Sequence, residues 1–437
     1  MSIDPKLLRT ETLTVRKTAA SAAQKLAVDI CVVGSGAAGT SAALEAAALG
    51  RKVALIDGLP SLGGQAVNSI VGTFCGFYSN GDDQRKPYRV THGIADPMLK
   101  DLDARGALDW RVGLTTVVMY DEVALQRWIE EAVRAAGITV ILGAIVRNVV
   151  MEGRRVKELE LATRYGDVRV QANGFVDATG DAALAWQAGL PCREAEEGPI
   201  YGTQMVVMEN IDASHAPGRE EFAERVAAKH KQYGFPRRDG FAFVAPGRGI
   251  ALVNMTHIET PLDPIKMSAI QLEGKAQVDK VIAFLKAEYP ECFKNARVRA
   301  FGQPGIRQTR WIVGRHQLTA DEVRNGTKFP DAIARCTWPI ELHSREAGYI
   351  WEPFAPDHMH YVPLGSIAAA DADNLMAAGR CMDGDAAALS SVRVMGPCMA
   401  MGKAAVNALD LAGSGSVHQI DIAALQDRLK DNLVRTD

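Results

Sequence analysis

Gly34-Ser35-Gly36-Ala37-Ala38-Gly39 is a G-x-G-x-x-G turn, and Asp57 follows it at the end of the next apolar run. Residues of these types suit one task, the holding of a dinucleotide. Gly34 permits a tight turn, Gly36 lets a pyrophosphate approach the backbone, and Gly39 lets a helix pack close to a strand. Asp57 can accept a hydrogen bond from a ribose hydroxyl. A glycine-rich turn can also do no more than pack a helix on a sheet, so the flanking elements decide between the two. "DICVVG" has the pattern of a short buried strand. "TSAALEAAALG" is rich in Ala and Leu and ends at Gly50, as a helix with a glycine C-cap does. "RKVALID" is a second apolar strand. Strand, turn, helix, strand and acid therefore stand in the register of a βαβ unit whose helix N-terminus offers free N–H groups to phosphate.

A second set of residues could handle a substrate. Arg310 and Arg393 could clamp a carboxylate through their planar forks. His343, in "WPIELHSRE", has the right chemistry for a general acid or base near neutral pH. Each has an ordinary structural reading beside it: an arginine paired with an acid, an imidazole satisfied in the core. Cys75, in "GTFCGFY", has no partner cysteine nearby in the sequence, which argues against a redox disulfide. His358 and His360, in "DHMHYVP", stand at i and i+2 as strand ligands of a metal would. No third ligand accompanies them, so no metal is expected. Tyr361 in the same stretch is a further polar candidate.

The elements that must position these groups can be read along the chain. Its 437 residues suggest two or three lobes. Residues 1–27 read as an exposed arm, with an edge strand at Leu13 and Val15. In "TTVVMYDEVALQRWIEEAVRAAG", Leu125, Trp128, Ile129, Ala132 and Val133 fall on one face of a helix that Gly137 ends. "ITVILG" is a third apolar strand. A β-meander follows, with turns at Glu152-Gly153 and at Tyr165-Gly166-Asp167, and it runs into the buried strand "GFVDATGD". Between Leu190 and Cys336 the pattern changes to mixed strands and helices, including a long helix in "DPIKMSAIQLEGKAQVDKVIAFLKAEYP". Thr319 and Glu322 stand at capping-box spacing. In "SSVRVMGPCMAMGKAAVNALDLAG", Gly396-Pro397 reads as a helix start, with proline at its first position, and the small residues after it allow close packing.

Composition narrows the class. Hydrophobic residues make up 47% and charged residues 23%, as in a globular protein. A net charge of -3 implies no field for a polyanion, so nucleic acid is not an expected partner. The apolar runs are too short for a membrane span. The N-terminal stretch lacks the apolar core of a secretory signal and carries Asp4 and Glu11, unlike a transit peptide. Seven cysteines, an odd number without a C-x-x-C, argue against a disulfide framework, and a reducing cytoplasm is the expected compartment.

Three further stretches bear on which dinucleotide is held. They are Gly63-Gly64-Gln65, Asp177-Ala-Thr-Gly180-Asp181 and "NLMAAGRCMDG". Together with the first turn they resemble the glutathione-reductase-like FAD superfamily. Within it, "LGG" followed by "VGTFCGFY", the Asp121-Glu122 helix start, "DATGD", the segment from Arg310 to Thr319 and "SSVRVMGPCMAMG" resemble the FAD-dependent oxidoreductase family related to fumarate reductase flavoproteins. The resemblance covers roughly residues 28 to 413 and is weakest between 210 and 300. Asp57 stands where Glu is commoner, and Lys403 where Gln would be expected.

The resemblance implies FAD, retained through turnover. It implies that Gly34, Ser35, Gly36, Ala38 and Gly39 cradle the pyrophosphate and that Asp57, with Gly58 beside it, holds the adenosine ribose. Gly63, Gly64 and Gln65 would pass the ribityl and flavin side, and Val146 would meet the adenine through its backbone. Thr179, Gly180 and Asp181 would lie near the AMP half, Gly379 and Arg380 near the ribityl chain, and Met395 at the N-terminus of the last small-residue helix. If that N-terminus points at the pyrimidine edge of the flavin, its dipole favours the reduced, negatively charged form.

The implied fold is α/β: a Rossmann-like FAD-binding domain with a parallel sheet and β-meander, plus an α+β substrate domain. The FAD domain is expected to be discontinuous, at 28–190 and 337–415, around a substrate domain at 191–336, with a tail at 416–437. The implied function is an FAD-dependent dehydrogenase or reductase of a small polar, anionic substrate. Arg310, His343 and Arg393 would be its catalytic residues, and its electron donor or acceptor is unknown. Two alternatives stand beside it, an oxygen-using oxidase or monooxygenase and a non-catalytic flavin-binding subunit. No second G-x-G-x-x-G unit is evident for a nicotinamide, and a homo-oligomer is compatible with the sequence.

Overall fold

The structure is a computed structural model that describes Thr14, Arg16 and residues 23–194 and 200–437. The expected edge strand at Leu13 and Val15 lies outside the described residues. The first strand, β1 (Gln24–Val33), begins inside the stretch expected to be an exposed arm. Its early residues pair with Val168–Ala172 of the strand Gly166–Asp177, and that pairing extends it.

The largest sheet has seven strands. β1 runs parallel to β2 (Val53–Asp57) on one side and to Gly166–Asp177 on the other. Thr139–Leu142 adds in parallel beyond β2. The meander Ile145–Glu152, Arg155–Thr163 and Gly166–Asp177 is antiparallel, with its turns at the expected glycines. The last meander strand then changes neighbours, and its final residues pair in parallel with Leu375–Ala377. The all-apolar β2 is buried along its whole length, as a strand covered on both faces must be.

This topology brings distant chain segments to one edge. Val33 stands opposite Ile56 and Asp177, and Asp177 stands opposite Ala377. The strands therefore finish together at their carboxyl ends, where a parallel sheet places its ligands. The turns after Val33, Asp57, Asp177 and Ala377 all leave from that edge.

The helix α1 (Ala37–Ala48) follows the first turn, and most of it is buried. It packs against the late helix Met395–Ala412, where Ser41 Oγ donates to the Met399 carbonyl at 2.8 Å. Ala and Gly along both helices permit that approach. The late helix starts at Met395, two residues before the sequence reading put proline at the first position. Pro397 still falls in the first turn, where no backbone partner for an N–H is lost.

A separate four-stranded antiparallel sheet has the order Phe241–Ala245, Ile250–Asn254, Thr203–Glu209, Arg297–Gly305. The helices Arg219–Tyr233 and Pro264–Glu288 cover one face of it through Phe222, Val226, Val281 and Phe284. Its other face meets Ile70 and Met119. A short hairpin, Ile340–Ser344 with Gly348–Glu352, stands apart from both sheets. The capping box at Thr319 and Glu322 is formed.

Candidate active site

A cavity of ≈ 1540 Å³ runs from the turns at the sheet edge to the hairpin. It exceeds the roughly 300–1,000 Å³ of a pocket for one small ligand, so it has room for a dinucleotide and a second molecule.

The first turn shapes one end. A Cβ on Gly39 would sit 1.7 Å from the Gly34 carbonyl oxygen, and Gly34 itself has φ +100°. Gly36 differs from both: a Cβ there meets nothing closer than the Gly64 Cα at 4.0 Å, so the space beside it is open. Gly36 is the N-cap of α1 and no side chain caps that helix. Its first-turn N–H groups, beside Ala37 and Ala38 on the cavity wall, are left for a ligand. An open concave backbone with unpaired donors fits a pyrophosphate, so the residues present suit FAD.

Two carboxylates hold the turns. Asp57 Oδ2 accepts from the Ser35 N–H and from Ser35 Oγ, both at 2.6 Å, and its Oδ1 accepts from the Leu59 N–H at 2.8 Å. Asp177 is fully buried. It accepts from Thr179 Oγ1 at 2.7 Å and from the Leu184 N–H at 2.8 Å. Burial pushes its pKa up, while those hydrogen bonds pull it down. Cys381 completes the knot by accepting from the Gly180 N–H at 3.0 Å. Neither Asp177 nor Cys381 was a sequence candidate. Asp177 had a visible signal, a charged residue at the end of an apolar strand.

Of the residues implied for FAD, Gly34, Ser35, Gly36, Ala38, Asp57 and Gly58 line this cavity. So do Gly64, Gln65, Val146, Thr179, Gly180, Asp181, Gly379, Arg380 and Met395. Gly39 and Gly63 lie behind the wall, where they shape the backbone. Gln65 accepts from the Ile306 N–H at 3.1 Å, which ties the second glycine turn to the segment carrying Arg307.

The other end of the cavity is lined by Cys75, Arg307, Trp338, Glu341, Tyr349 and Arg393. Arg307 donates to the Tyr201 carbonyl at 2.7 Å and pairs with no carboxylate among the described residues. Burial, with Arg393 and Arg237 nearby, pushes its pKa well below the ordinary arginine value. Arg393 donates from Nη2 to the Glu341 main-chain carbonyl at 3.1 Å, and its buried Nε has no partner. Arg237 is buried, bonded to Asp239 at 3.0 Å and to Asn254 at 2.5 Å, with Nη2 unpartnered. The result is a group of three arginines, Arg237 and Arg307 buried and Arg393 partly so, facing Glu341 and Asp239.

The other candidate residues fall in different places. Arg310 is not in this cluster. Its strand, Arg310–Ile312, pairs with Cys192–Glu194, so its guanidinium meets Glu194 at 2.5 Å and lies over the Trp186 ring at 3.8 Å. His343 is fully buried and off the cavity wall, between His257 and Glu341. His358 and His360 bond each other at 3.1 Å, and His360 bonds Ser391 at 3.0 Å, which satisfies them as structural imidazoles. Tyr361 lies on the strand His360–Pro363, opposite Arg335 and off the cavity wall. Burial pushes the Cys75 thiol up to about 12, unlike a reactive cysteine. Arg307, Arg237 and Glu341 were missed. For Glu341 a signal existed: it precedes His343 by two positions, and period-two alternation puts both on one face of a strand.

Distant likenesses of shape exist among solved structures. A geranylgeranyl bacteriochlorophyll reductase-like protein from Thermoplasma acidophilum has TM-score 0.47 and 16% identity, over 93% of this chain and 83% of that one. The anhydrotetracycline hydroxylase OxyS from Streptomyces rimosus has TM-score 0.45 and 12% identity, over 93% of this chain and 66% of that one. The myxobacterial chondrochloren halogenase CndH, an FAD-dependent halogenase, has TM-score 0.43 and 12% identity, over 93% of this chain and 78% of that one. No curated protein matches the sequence. Family membership rests on a longer correspondence: from residue 29 to residue 429, through all the turns that meet at the sheet edge, the chain matches the FAD dependent oxidoreductases, and it belongs to that family as an FAD-dependent oxidoreductase.

Proposed function

We propose that this enzyme is a dehydrogenase or reductase of a small anionic substrate, bound between the flavin site and the arginine cluster. The observation that carries this reading is Arg307. A guanidinium on the cavity wall, buried beside two other arginines and without a carboxylate partner, carries a desolvation cost of several kcal/mol. An anionic ligand offsets that cost, and its planar carboxylate matches the guanidinium fork.

When bound, FAD supplies two-electron hydride exchange with the substrate. The chain's own residues do the rest. The α1 N-terminus and the glycine turns hold the pyrophosphate, Arg307 and Arg393 orient the substrate anion, and the aromatic walls of Trp338 and Tyr349 exclude water. We read 28–190 and 337–415 as the FAD-binding unit, with 191–336 closing over the substrate.

The test is anaerobic mixing of the yellow holoenzyme with hydroxy- and amino-carboxylates and with their uncharged amides. Bleaching of the flavin by a carboxylate and not by its amide is expected. Equal bleaching by the amides would remove the anion from the reading. Slow reoxidation in air is expected of a dehydrogenase, and fast reoxidation would favour an oxidase.

A further inference from the structure

Glu341 sits where the cavity, the arginines and a buried imidazole chain meet. It lies on the hairpin strand Ile340–Ser344, opposite Trp351, while His343 lies opposite Tyr349. Trp338 Nε1 donates to Glu341 Oε2 at 3.1 Å. His343 Nε2 lies 3.2 Å from Glu341 Oε1, and His257 Nε2 lies 3.2 Å from His343 Nδ1. Behind them, His257 stacks on Tyr201 with ring centroids 4.8 Å apart. Glu341 lines the cavity; neither histidine does.

The chain of bonds has a direction. Burial keeps both imidazoles neutral, so each carries one N–H. With Glu341 ionised, His343 donates from Nε2 to the carboxylate and accepts at Nδ1 from His257. A neutral donor to Oε1 fixes the orientation of the carboxylate. Among the described residues its only ion-pair contact is this neutral His343. The groups facing it are Arg307, Arg393, Tyr349, Cys75 and His343.

We propose that Glu341 is the catalytic residue that exchanges a proton with the substrate, and that His343 and His257 are positioning residues that aim it. The proposal rests on the anionic-substrate reading above. In the oxidative direction the substrate's O–H or N–H bond breaks and an O–H bond forms on Glu341. The electron pair left behind becomes the second bond of C=O or C=N as the same carbon gives up its hydride. The substrate is oxidised by two electrons, and the enzyme's FAD is the oxidant. The reductive direction is the reverse.

Two measurements test it. The first measures the affinity of oxalate, a substrate-like anion, by calorimetry. The Glu341 carboxylate repels an anion seated beside it on the arginines. Glu341→Gln, which removes that charge, should bind oxalate more tightly than the wild type. The second is flavin reduction by the best carboxylate of the panel. Glu341→Gln should keep its FAD and lose roughly 10²–10⁴-fold in rate, the scale of a positioned acid or base. Formate should restore part of the rate to Glu341→Ala. His343→Leu should be slow, and His343→Gln, which keeps an N–H donor near the Nε2 position, should recover. If oxalate fails to bind the wild-type enzyme, the substrate reading falls. If oxalate binds while Glu341→Gln keeps the wild-type affinity or the wild-type rate, or if formate leaves folded Glu341→Ala unchanged, Glu341 is not the proton-transferring group.

Discussion

One oxygen of Asp57 accepts from both the backbone N–H and the hydroxyl of Ser35, each at 2.6 Å. The end of β2 is thereby tied to the first glycine turn, which we assign to the pyrophosphate. Asp57→Ala leaves two buried donors on Ser35 without partners. FAD affinity should fall by about 1.5–3 kcal/mol, the scale of hydrogen bonds to a charged group. Flavin release followed by fluorescence measures this, and unchanged affinity would remove Asp57 from the cradle.

Gly36 and Gly39 should fail in different ways. Gly36→Val places its side chain in open space, so the protein should fold and purify colourless. Gly39→Ala drives a Cβ against the Gly34 carbonyl, so the first turn cannot close and soluble protein should be lost. Circular dichroism and flavin content separate the two. A yellow Gly36→Val protein would show that the pyrophosphate lies elsewhere.

Arginine variants should sort by position. Arg307→Lys and Arg393→Lys should keep FAD and weaken substrate binding by about 1.5–3 kcal/mol, roughly tenfold to a hundredfold, because lysine cannot reproduce the fork. Arg310→Lys should leave half-reaction kinetics unchanged, since its guanidinium is engaged with Glu194 and Trp186. Substrate-dependent rates of flavin reduction decide it, and a large loss in Arg310→Lys alone would return that residue to the active site.

Acid should unfold the protein in a defined window. Burial lowers the pKa of His257 and His343, and takes that of His360 to about 3. An unfolded imidazole titrates at about 6.5. Below that pH the unfolded chain binds protons that the folded chain refuses, so stability is full above it and falls as pH drops towards the folded values. Each buried imidazole contributes up to about 1.4 kcal/mol per pH unit. Asp177, whose pKa burial raises, works in the opposite sense, but it is common to all variants. Urea midpoints at pH 7, 6 and 5 should therefore fall with a slope that His360→Asn reduces. Identical slopes in variant and wild type would mean His360 is not buried neutral.

Much of the cofactor side was legible in the sequence because its signals are local. The G-x-G-x-x-G turn, the apolar strands around it and the glycine after α1 are each written within a few residues, and backbone sterics leave them few alternatives. The meander turns and the capping box at Thr319 were legible for the same reason. The start of β1 was misjudged because its early residues are strand only through pairing with Gly166–Asp177, far along the chain.

By itself, then, the sequence determined the βαβ unit and its glycine turn, since these depend on which conformations short stretches can adopt, while FAD followed from the resemblance of several such turns together to a known family. The tertiary structure alone decided which charged groups share the cavity. Arg307 follows the last strand of the four-stranded sheet, Arg393 precedes the late helix, and Glu341 sits on a separate hairpin. Arg310, close to Arg307 in the chain, was instead turned to Glu194 by the pairing of its own strand. A side chain's charge is a property of its residue. Whether that charge is buried, paired or left for a ligand depends on groups far along the chain, 52 positions for Arg393 and Glu341 and 116 for Arg310 and Glu194, which only packing brings within hydrogen-bonding distance.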